Sequence, residues 1–299
     1  MVTMSVECKR TNPYRGRFAP SPTGSLHFGS LVAAVGSFLQ ARSQNGRWLV
    51  RIEDIDPPRE IPGAAGDQLD TLKRFGLISD EPVEFQSRNR PRYHKALADL
   101  LDRRQAFYCG CTRRDLEPSG RYPGTCRDGV PPGRQPRSIR VRVDNQPIRF
   151  RDLCQGQNEY RLAESCGDFV IRRADGLTAY QLAVVVDDAA AGITEVVRGA
   201  DLLDSTPRQI HLYRCLGLTE PDWFHLPLVL DAKGQKLSKS GSADPVTRYR
   251  PAEALRLALA VLGHRPPRGV RSLEALWSWA QVNWNPSRVP SRSTSLDSI

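Results

Sequence analysis

The sequence predicts an α/β fold with a parallel sheet, and three observations carry this prediction. Residues 14–19 and 47–53 are short runs typical of strands, and an apolar, helix-favouring run at residues 29–43 separates them. A strand, a crossover helix and a second strand of these lengths form a right-handed unit with parallel strands. Two further strand-like runs, residues 193–198 and 224–230, occur later in the chain. Such sheets bind ligands at the carboxyl ends of their strands, so we expect the functional residues there.

The other elements follow from apolar patterning between helix breakers. Helices are predicted at residues 64–75, 91–104, 206–217, 251–262 and 273–282. Short β-like runs occur at residues 138–143, 148–152 and 168–172. The apolar run at residues 180–186 fits either a helix or a strand, and residues 285–299, rich in Ser, Arg and Pro, are predicted to be disordered.

Bulk composition limits the function classes. The 299 residues are 39% hydrophobic, enough for one large domain with insertions or for two domains. No apolar run approaches the roughly 18–20 residues of a membrane span, and residues 1–14 lack an apolar signal core, so we expect a cytoplasmic protein without a membrane partner. The seven cysteines do not have the spacing of a small disulfide framework. A formal net charge of +10 is typical of proteins that bind a polyanion.

The turn after the first strand is a candidate phosphate site. Pro20, Pro22 and Gly24 end the strand, and the apolar helix begins close to His27 and Gly29. Unpaired backbone N–H groups and the positive end of the helix dipole make a helix start favourable for phosphate. His27 can donate a hydrogen bond to a phosphate oxygen, and Gly29 leaves room for a flat group. A core helix with an incidental histidine is the alternative.

A second candidate phosphate-binding segment is rich in lysine. The chain has six Lys and 37 Arg, yet Lys233, Lys236 and Lys239 fall within seven residues. Lysine carries a compact, flexible point charge that suits a polyphosphate better than the planar arginine fork. A solvated basic loop is the alternative interpretation.

Residues 109–136 predict a structural zinc site. This segment is rich in Cys, Gly, Pro and Arg and has little periodicity, and Cys109, Cys111 and Cys126 place three thiols within eighteen residues. A segment without a core needs another source of stability, and three close thiolates are a usual zinc ligand set. From the residues alone, the fourth ligand is open among Cys154, Cys166 and a histidine. A set of small buried thiols is the alternative.

The two phosphate-binding candidates resemble the HIGH and KMSKS signatures of class I aminoacyl-tRNA synthetases. They read HFGS at residues 27–30 and KLSKS at residues 236–240, so serine replaces the last histidine of HIGH. The stretches RFAPSPTG (17–24), RIEDID (51–56) and DFVIRR (168–173) narrow the resemblance to the glutamyl branch. The resemblance covers residues 14 to about 280.

This resemblance implies a class I synthetase Rossmann-type parallel sheet with a zinc-bearing insertion and a small C-terminal helical region. The implied boundaries are residues 1–105 and 168–240 for the two halves of the catalytic domain, 106–167 for the insertion, 241–284 for the helical region and 285–299 for the tail.

The resemblance also implies the site residues. The glutamate site would comprise Arg17, Ser21, Glu53, Tyr180 and Arg198; ATP would contact His27, Gly29 and Lys239; the catalytic set would be His27, Lys236 and Lys239; and zinc would be held by Cys109, Cys111, Tyr122 and Cys126. Free glutamate has two carboxylates and one ammonium, so a selective pocket needs fixed cations and an anion, which two arginines and a glutamate supply. Asp187 and Asp188 fit either a contact to ribose or the amine, or a helix-end charge pair.

About sixty residues follow Lys239, too few for the usual anticodon-binding domain. The resemblance is therefore to the truncated paralogues of glutamyl-tRNA synthetase. It implies activation of glutamate with ATP and Mg²⁺ without tRNA, and transfer to the queuosine base at the wobble position of tRNA(Asp), by a monomer that contacts the anticodon loop. The alternatives are a minimal glutamyl-tRNA synthetase that charges the 3′ end, a catalytically idle RNA-binding module and a small-molecule adenylyl transferase.

Overall fold

The computed structural model describes residues 13–230 and 245–295. Its strands are β1 (Arg15–Phe18), β2 (Arg47–Ile52), β3 (Glu84–Phe85), β4 (Ala106–Cys109), β5 (Ser138–Val141), β6 (Ile148–Asp152), β7 (Gly156–Tyr160), β8 (Val170–Arg172), β9 (Glu195–Gly199), β10 (Asp222–Leu226), β11 (Val229–Leu230) and β12 (Thr294–Ser295). Its α-helices are α1 (Phe28–Ser43), α2 (Ala64–Arg74), α3 (Arg90–Asp102), α4 (Leu162–Ser165), α5 (Tyr180–Ala190), α6 (Thr206–Leu216), α7 (Pro251–Val261) and α8 (Leu273–Asn283).

A parallel sheet runs through the centre of the fold. β1, β2 and β3 pair in parallel in that order, and β9, β10 and β6 form a second parallel set. The backbone N–H of Thr194 donates to the carbonyl of Arg15 at 2.9 Å, which brings the start of β9 beside β1. The strand order is therefore β3-β2-β1-β9-β10-β6, and the sequence-based expectation of an α/β fold with a parallel sheet is confirmed.

Antiparallel strands flank this sheet. β7 pairs with β6 at one edge, and β4, β5 and β8 form a separate antiparallel sheet. These strands hold the segment from β4 to β8 against the helices α3, α5 and α6, since their apolar side chains share one buried cluster. The ambiguous run at residues 180–186 is helical, as part of α5.

Helix α1 lies at the centre of the main core. Apart from Ala33 and Ser30 near its start and two residues at its end, its side chains are buried, as expected for a helix covered on all sides. It packs closely on β10, because a Cβ added to Gly36 would lie 2.5 Å from Leu226 Cδ1. Helices α7 and α8 cover its other side, where the Trp284 Nε1–H donates to Gln40 Oε1 at 3.0 Å.

Two sequence predictions need correction. The strand predicted at residues 224–230 is divided, because Pro227 has no N–H to donate and separates β10 from β11. The prediction of a disordered tail is wrong for residues 285–295. Val289 is buried in the main core, and β12 pairs in parallel with β11, so this stretch packs back on the parallel-sheet part of the chain.

Within the ranges described, the chain forms no helix that combines the length and the apolar character needed to cross a bilayer.

Candidate active site

A cavity of about 410 Å³ opens at the carboxyl ends of the parallel strands. Its walls come from β1, the following turn, the start of α1 and the ends of β9 and β10. It brings together seven residues that the sequence singled out: Arg17, Ser21, His27, Gly29, Glu53, Tyr180 and Arg198. The predicted Lys236 and Lys239 lie outside the described residues.

The turn that leads into α1 is fixed by hydrogen bonds. Gly24 has φ +130°, a conformation that side chains with a Cβ rarely adopt. The Gln68 side-chain amide, on α2, donates to the carbonyl oxygens of Ser21 and Gly24 at 3.0 and 2.6 Å. The turn is therefore held in one shape by a residue that the sequence reasoning did not single out.

His27 is the N-cap of α1. Its Nδ1 accepts a hydrogen bond from the Ser30 N–H at 3.2 Å, which satisfies one of the unpaired donors of the first turn. A neutral imidazole that accepts at Nδ1 carries its proton at Nε2. The ring is therefore a donor on its Nε2 edge, as a phosphate contact requires.

The chain also returns to His27 after the segment that carries the predicted lysines. Pro245 forms an isolated β-bridge with His27, and the Val246 N–H donates to the Leu26 carbonyl at 2.8 Å. On the other side of the segment, Val229 lines the cavity. Both described ends of the stretch at residues 231–244 therefore lie beside the candidate phosphate site.

Arg17 is held by a buried carboxylate. Its Nε and Nη2 donate to the two oxygens of Asp188, each at 3.0 Å, and Arg51 Nη1 donates to the same carboxylate at 2.6 Å. Burial opposes ionisation of Asp188, but the two guanidinium groups outweigh it and hold its pKa below the usual range. The fork of Arg17 is therefore fixed at the cavity wall.

Glu53 supplies a buried negative charge to the cavity, which Asp201 also lines. Its contact to Arg51 Nη2 is long, at 3.4 Å, and its side chain is buried. Burial raises the pKa of Glu53, and the attraction of Arg51 and Arg17 only partly offsets that rise. A carboxylate that is this weakly compensated gains most from a cationic ligand such as an ammonium group.

Arg198 supplies a positive charge with an unused donor. Its Nε and Nη2 are engaged by His225 and Thr206, at 3.0 and 2.9 Å. Its Nη1 is buried and has no hydrogen-bond partner within the described residues. Burial lowers the pKa of Arg198, and a buried donor without a partner costs free energy. A carboxylate in the cavity would stabilise the charged guanidinium and accept a hydrogen bond from Nη1.

Tyr180 closes this side of the cavity. It is the first residue of α5, and burial raises the pKa of its phenol, so it remains neutral. The cavity thus combines two fixed guanidinium groups, the carboxylates of Glu53 and Asp201, and a helix start. That set of charges fits an acidic amino acid next to a phosphate-bearing ligand.

The three predicted cysteine ligands form a buried cluster. The Sγ atoms of Cys109, Cys111 and Cys126 lie within 4.8 Å of one another, and those of Cys111 and Cys126 are 3.6 Å apart. The phenol oxygen of Tyr122 lies 3.6 Å from Cys109 Sγ. Metal–sulfur bonds of about 2.3 Å give a tetrahedron with edges of about 3.8 Å, so these separations suit one tetrahedral metal ion.

Two neighbouring groups, Arg140 and the Cys126 N–H, support negative charge on Cys109 and Tyr122. The Arg140 guanidinium lies 4.0 Å from the centre of the Tyr122 ring, and its Nε donates to Cys109 Sγ at 3.4 Å. The N–H of Cys126 donates to the Tyr122 oxygen at 2.7 Å. Burial and the neighbouring thiols raise the pKa of Cys111 to about 11, which a bound cation would reverse.

Two of the alternative fourth ligands point elsewhere. Cys154 Sγ donates to the carbonyls of Val289 and Pro290, and Cys166 Sγ donates to the Gly167 carbonyl. Tyr122 therefore has the best geometry for the fourth position among these candidates.

Sequence reasoning left Asp187 and Asp188 undecided, and the structure places both inside the protein. Asp187 accepts hydrogen bonds from Tyr93, Gln86 and Asn89, whereas Asp188 clamps Arg17. Neither lines the main cavity. The sequence did contain a signal for these roles, since two carboxylates end an otherwise apolar helix and buried charges require partners.

The comparisons with known proteins agree with this geometry. A family model for the catalytic domain of class I tRNA synthetases (E and Q) matches residues 14–122 and 127–267. The chain belongs to this family. It is therefore an ATP-dependent ligase of the class I aminoacyl-tRNA synthetase type.

Curated relatives of this class I synthetase share about half of its residues. The Glutamyl-Q tRNA(Asp) synthetase of Chromobacterium violaceum is 52% identical over 284 residues, covering 93% of this chain and 95% of that protein. The protein of the same name from Aromatoleum aromaticum is 53% identical over 287 residues, covering 93% of this chain and 91% of its own length.

A solved structure supports the same fold. A glutamate tRNA ligase from Elizabethkingia meningosepticum, in complex with its amino acid, superposes with a TM-score of 0.81 at 25% identity. The match covers 95% of this chain and 67% of that one. The class I synthetase catalytic fold implied by the sequence is therefore confirmed.

Proposed function

We propose that the enzyme activates L-glutamate with ATP to glutamyl-adenylate and transfers the glutamyl group to the queuosine base at the wobble position of tRNA(Asp). The observation that carries this proposal is the single cavity that Arg17, Arg198, Glu53 and the start of α1 share. The curated relatives of about 50% identity that are named Glutamyl-Q tRNA(Asp) synthetase support the choice of acceptor.

The charges of the cavity match those of glutamate. Arg198, with its unused Nη1 donor, would receive the side-chain carboxylate, assisted by Arg17. Glu53 would receive the ammonium group, with Ser21 and Tyr180 as further walls. Arginine suits this role because its planar fork matches a carboxylate.

ATP would lie along the start of α1. The Nε2–H of His27 and the first-turn N–H groups would hold the phosphates, Gly29 would lie against the nucleotide, and Mg²⁺ would accompany ATP. Lys239, assisted by Lys236, would follow the departing pyrophosphate. We expect Lys239→Ala to slow pyrophosphate exchange by about a hundredfold or more, with Lys73→Ala as a surface lysine control; a normal rate would remove Lys239 from this role.

The first step is a substitution at phosphorus. A carboxylate oxygen of glutamate attacks the α-phosphorus, the bond to the bridging oxygen breaks, and pyrophosphate leaves with that bonding pair. The protein contributes alignment and positive charge rather than a covalent intermediate. In the second step a queuosine hydroxyl attacks the glutamyl carbonyl carbon, loses its proton, and AMP leaves.

The position of glutamate on the RNA tests the acceptor. We expect tRNA(Asp) whose 3′-terminal adenosine has been removed enzymatically to accept glutamate as well as intact tRNA, and a queuosine-free transcript to accept none. A minimal glutamyl-tRNA synthetase would give the reverse pattern. Mass spectrometry of the anticodon oligonucleotide then identifies the modified nucleoside directly.

We also propose that the thiol cluster holds one structural zinc ion, with Cys109, Cys111, Tyr122 and Cys126 as ligands. Three thiolates and a phenolate are a negatively charged set, which the nearby Arg140 supports. When bound, the ion would cross-link the segment between β4 and β5, which has few apolar side chains of its own.

A further inference from the structure

Behind Arg198 lies a chain of two buried side chains that does not reach the cavity. Arg198 Nε donates to His225 Nε2 at 3.0 Å, and His225 Nδ1 lies 2.6 Å from Asp152 Oδ2. His225 is 0% exposed and Asp152 1% exposed, and neither lines the cavity that Arg198 lines. The pairing of β6 with β10 brings these two residues, 73 positions apart, into contact.

The contacts fix the tautomer of His225. Because Arg198 Nε carries a hydrogen and donates, His225 Nε2 must be the unprotonated nitrogen. The proton is therefore on Nδ1, where it is donated to Asp152. Burial lowers the pKa of His225 and the adjacent Arg198 lowers it further, which outweighs the opposing effect of Asp152, so the ring remains neutral.

Asp152 is itself anchored. Its Oδ1 accepts hydrogen bonds from the backbone N–H groups of Cys154 and Gln155, at 3.0 and 2.8 Å. The backbone N–H of His225 lies 3.2 and 3.1 Å from Oδ1 and Oδ2 and donates to both, and Oδ2 also faces His225 Nδ1. This arrangement leaves the imidazole one orientation and one tautomer, in the way that a carboxylate orients a histidine in many catalytic sites.

Two of the three guanidinium nitrogens of Arg198 therefore have hydrogen-bond partners, and the third has none among the described residues. His225 takes Nε, Thr206 takes Nη2, and the buried Nη1 has no partner in the part of the chain that the structure describes. We propose that Asp152 and His225 are positioning residues, which orient Arg198 so that Nη1 meets the side-chain carboxylate of the amino-acid substrate. This inference rests on the proposed function, since it assumes that Arg198 binds glutamate.

Two variants of His225 separate positioning from simple packing. Glutamine places its amide oxygen near the position of Nε2 and can still accept from Arg198, whereas asparagine reaches only the position of Nδ1. In ATP–pyrophosphate exchange, we expect His225→Asn to raise the KM for glutamate about tenfold or more, with kcat and the KM for ATP nearly unchanged. His225→Gln should restore most of the loss.

Asp152→Asn tests the tautomer without removing an atom near the cavity. Three backbone N–H groups, of Cys154, Gln155 and His225, donate to Oδ1 and keep the amide oxygen there. The amide NH₂ therefore faces His225 Nδ1 and forces the ring proton to Nε2, toward Arg198. We expect a KM for glutamate raised about as much as in His225→Asn, again with an unchanged KM for ATP.

The outcomes are distinct. Equal effects of His225→Asn and His225→Gln, a normal KM for glutamate in Asp152→Asn, or parallel rises in both KM values would overturn the positioning role. Thermal unfolding of each variant shows whether it is folded, and Asp152→Asn, which conserves shape, remains decisive if His225→Asn does not fold. If the wild-type enzyme shows no exchange with glutamate, the proposed function fails instead.

Discussion

The carboxylate of Asp188 accepts two hydrogen bonds from Arg17, at 3.0 Å from both Nε and Nη2, although the residues are 171 positions apart in the chain. The same carboxylate accepts a third hydrogen bond from Arg51. All three side chains are buried. Because the pair joins β1 to α5, the position of one cavity-lining arginine depends on a helix from the other half of the fold.

Asp188→Asn should therefore be strongly destabilising. It leaves two buried guanidinium groups with less counter-charge, and breaking a buried pair of this type costs about 3–5 kcal/mol. Urea denaturation measures the loss. The matched control is Glu159→Gln, which removes the exposed partner of Arg149 and should change stability by about 1 kcal/mol or less. Similar effects of the two substitutions would contradict the clamp.

The free energy of unfolding at acidic pH provides a second test of the Asp188 ion pair. The pKa of Asp188 is lower in the folded state, so its contribution is complete above the unfolded value and is lost as pH falls through the folded value. We expect the free energy of unfolding of the wild type to decrease as the pH drops under about 4. In Asp188→Asn this decrease should be smaller. Unfolding at several pH values between 3 and 7 checks this, and parallel curves for the two proteins would contradict it.

The ionised carboxylate of Glu53 should have the opposite effect on stability from that of Asp188. Its pKa is raised in the folded state, so at neutral pH the ionised carboxylate lowers stability relative to a neutral group. We expect Glu53→Gln to unfold at the same or a higher temperature than the wild type, while the KM for glutamate rises because the ammonium loses its counter-charge. A less stable Glu53→Gln enzyme with normal glutamate affinity would refute the assignment.

His27 caps α1, and under the proposed function it also donates to a phosphate; the two roles can be separated. Asparagine is a good N-cap but lacks the Nε2 donor, whereas alanine lacks both. His27→Asn should keep wild-type stability and lose exchange activity, and His27→Ala should lose about 1 kcal/mol of stability in addition. Chemical denaturation and exchange assays on the same preparations separate the two roles. Full exchange activity in His27→Asn would rule out the phosphate contact and leave His27 with only its role as a helix cap.

The thiol cluster should bind one zinc ion per chain. Elemental analysis of the purified protein measures it, and Cys126→Ser should lose the metal and lower the unfolding temperature. Cys215→Ser is the matched control, because Cys215 is half-buried and lies outside the cluster. Equal metal content in all three proteins would remove the cluster from metal binding.

The sequence predicted the local features of this fold well. The alternation of the first strand, helix and strand placed β1, α1 and β2, and the helix start placed His27, because those features depend on nearby residues. It left the role of Asp188 undecided and did not single out His225, because their roles arise from contacts 171 and 27 positions away in the chain. It also misread residues 285–295, where buried Val289 outweighs a composition typical of disorder.

The charged residues of the cavity could be predicted from the sequence only through the family resemblance. With 37 arginines in the chain, nothing in composition or spacing distinguishes Arg17 and Arg198 from exposed ones. Burial makes the distinction, because both line one cavity and are 3% and 6% exposed. The hydrogen bonds that orient them are a property of the tertiary structure alone.

The most direct test of the central claim is ATP–pyrophosphate exchange by the purified enzyme with no RNA present. We expect exchange that depends on L-glutamate, with aspartate and glutamine as poor substitutes, and its loss in Arg198→Ala. Exchange that requires tRNA, or that proceeds equally with all three amino acids, would contradict the account.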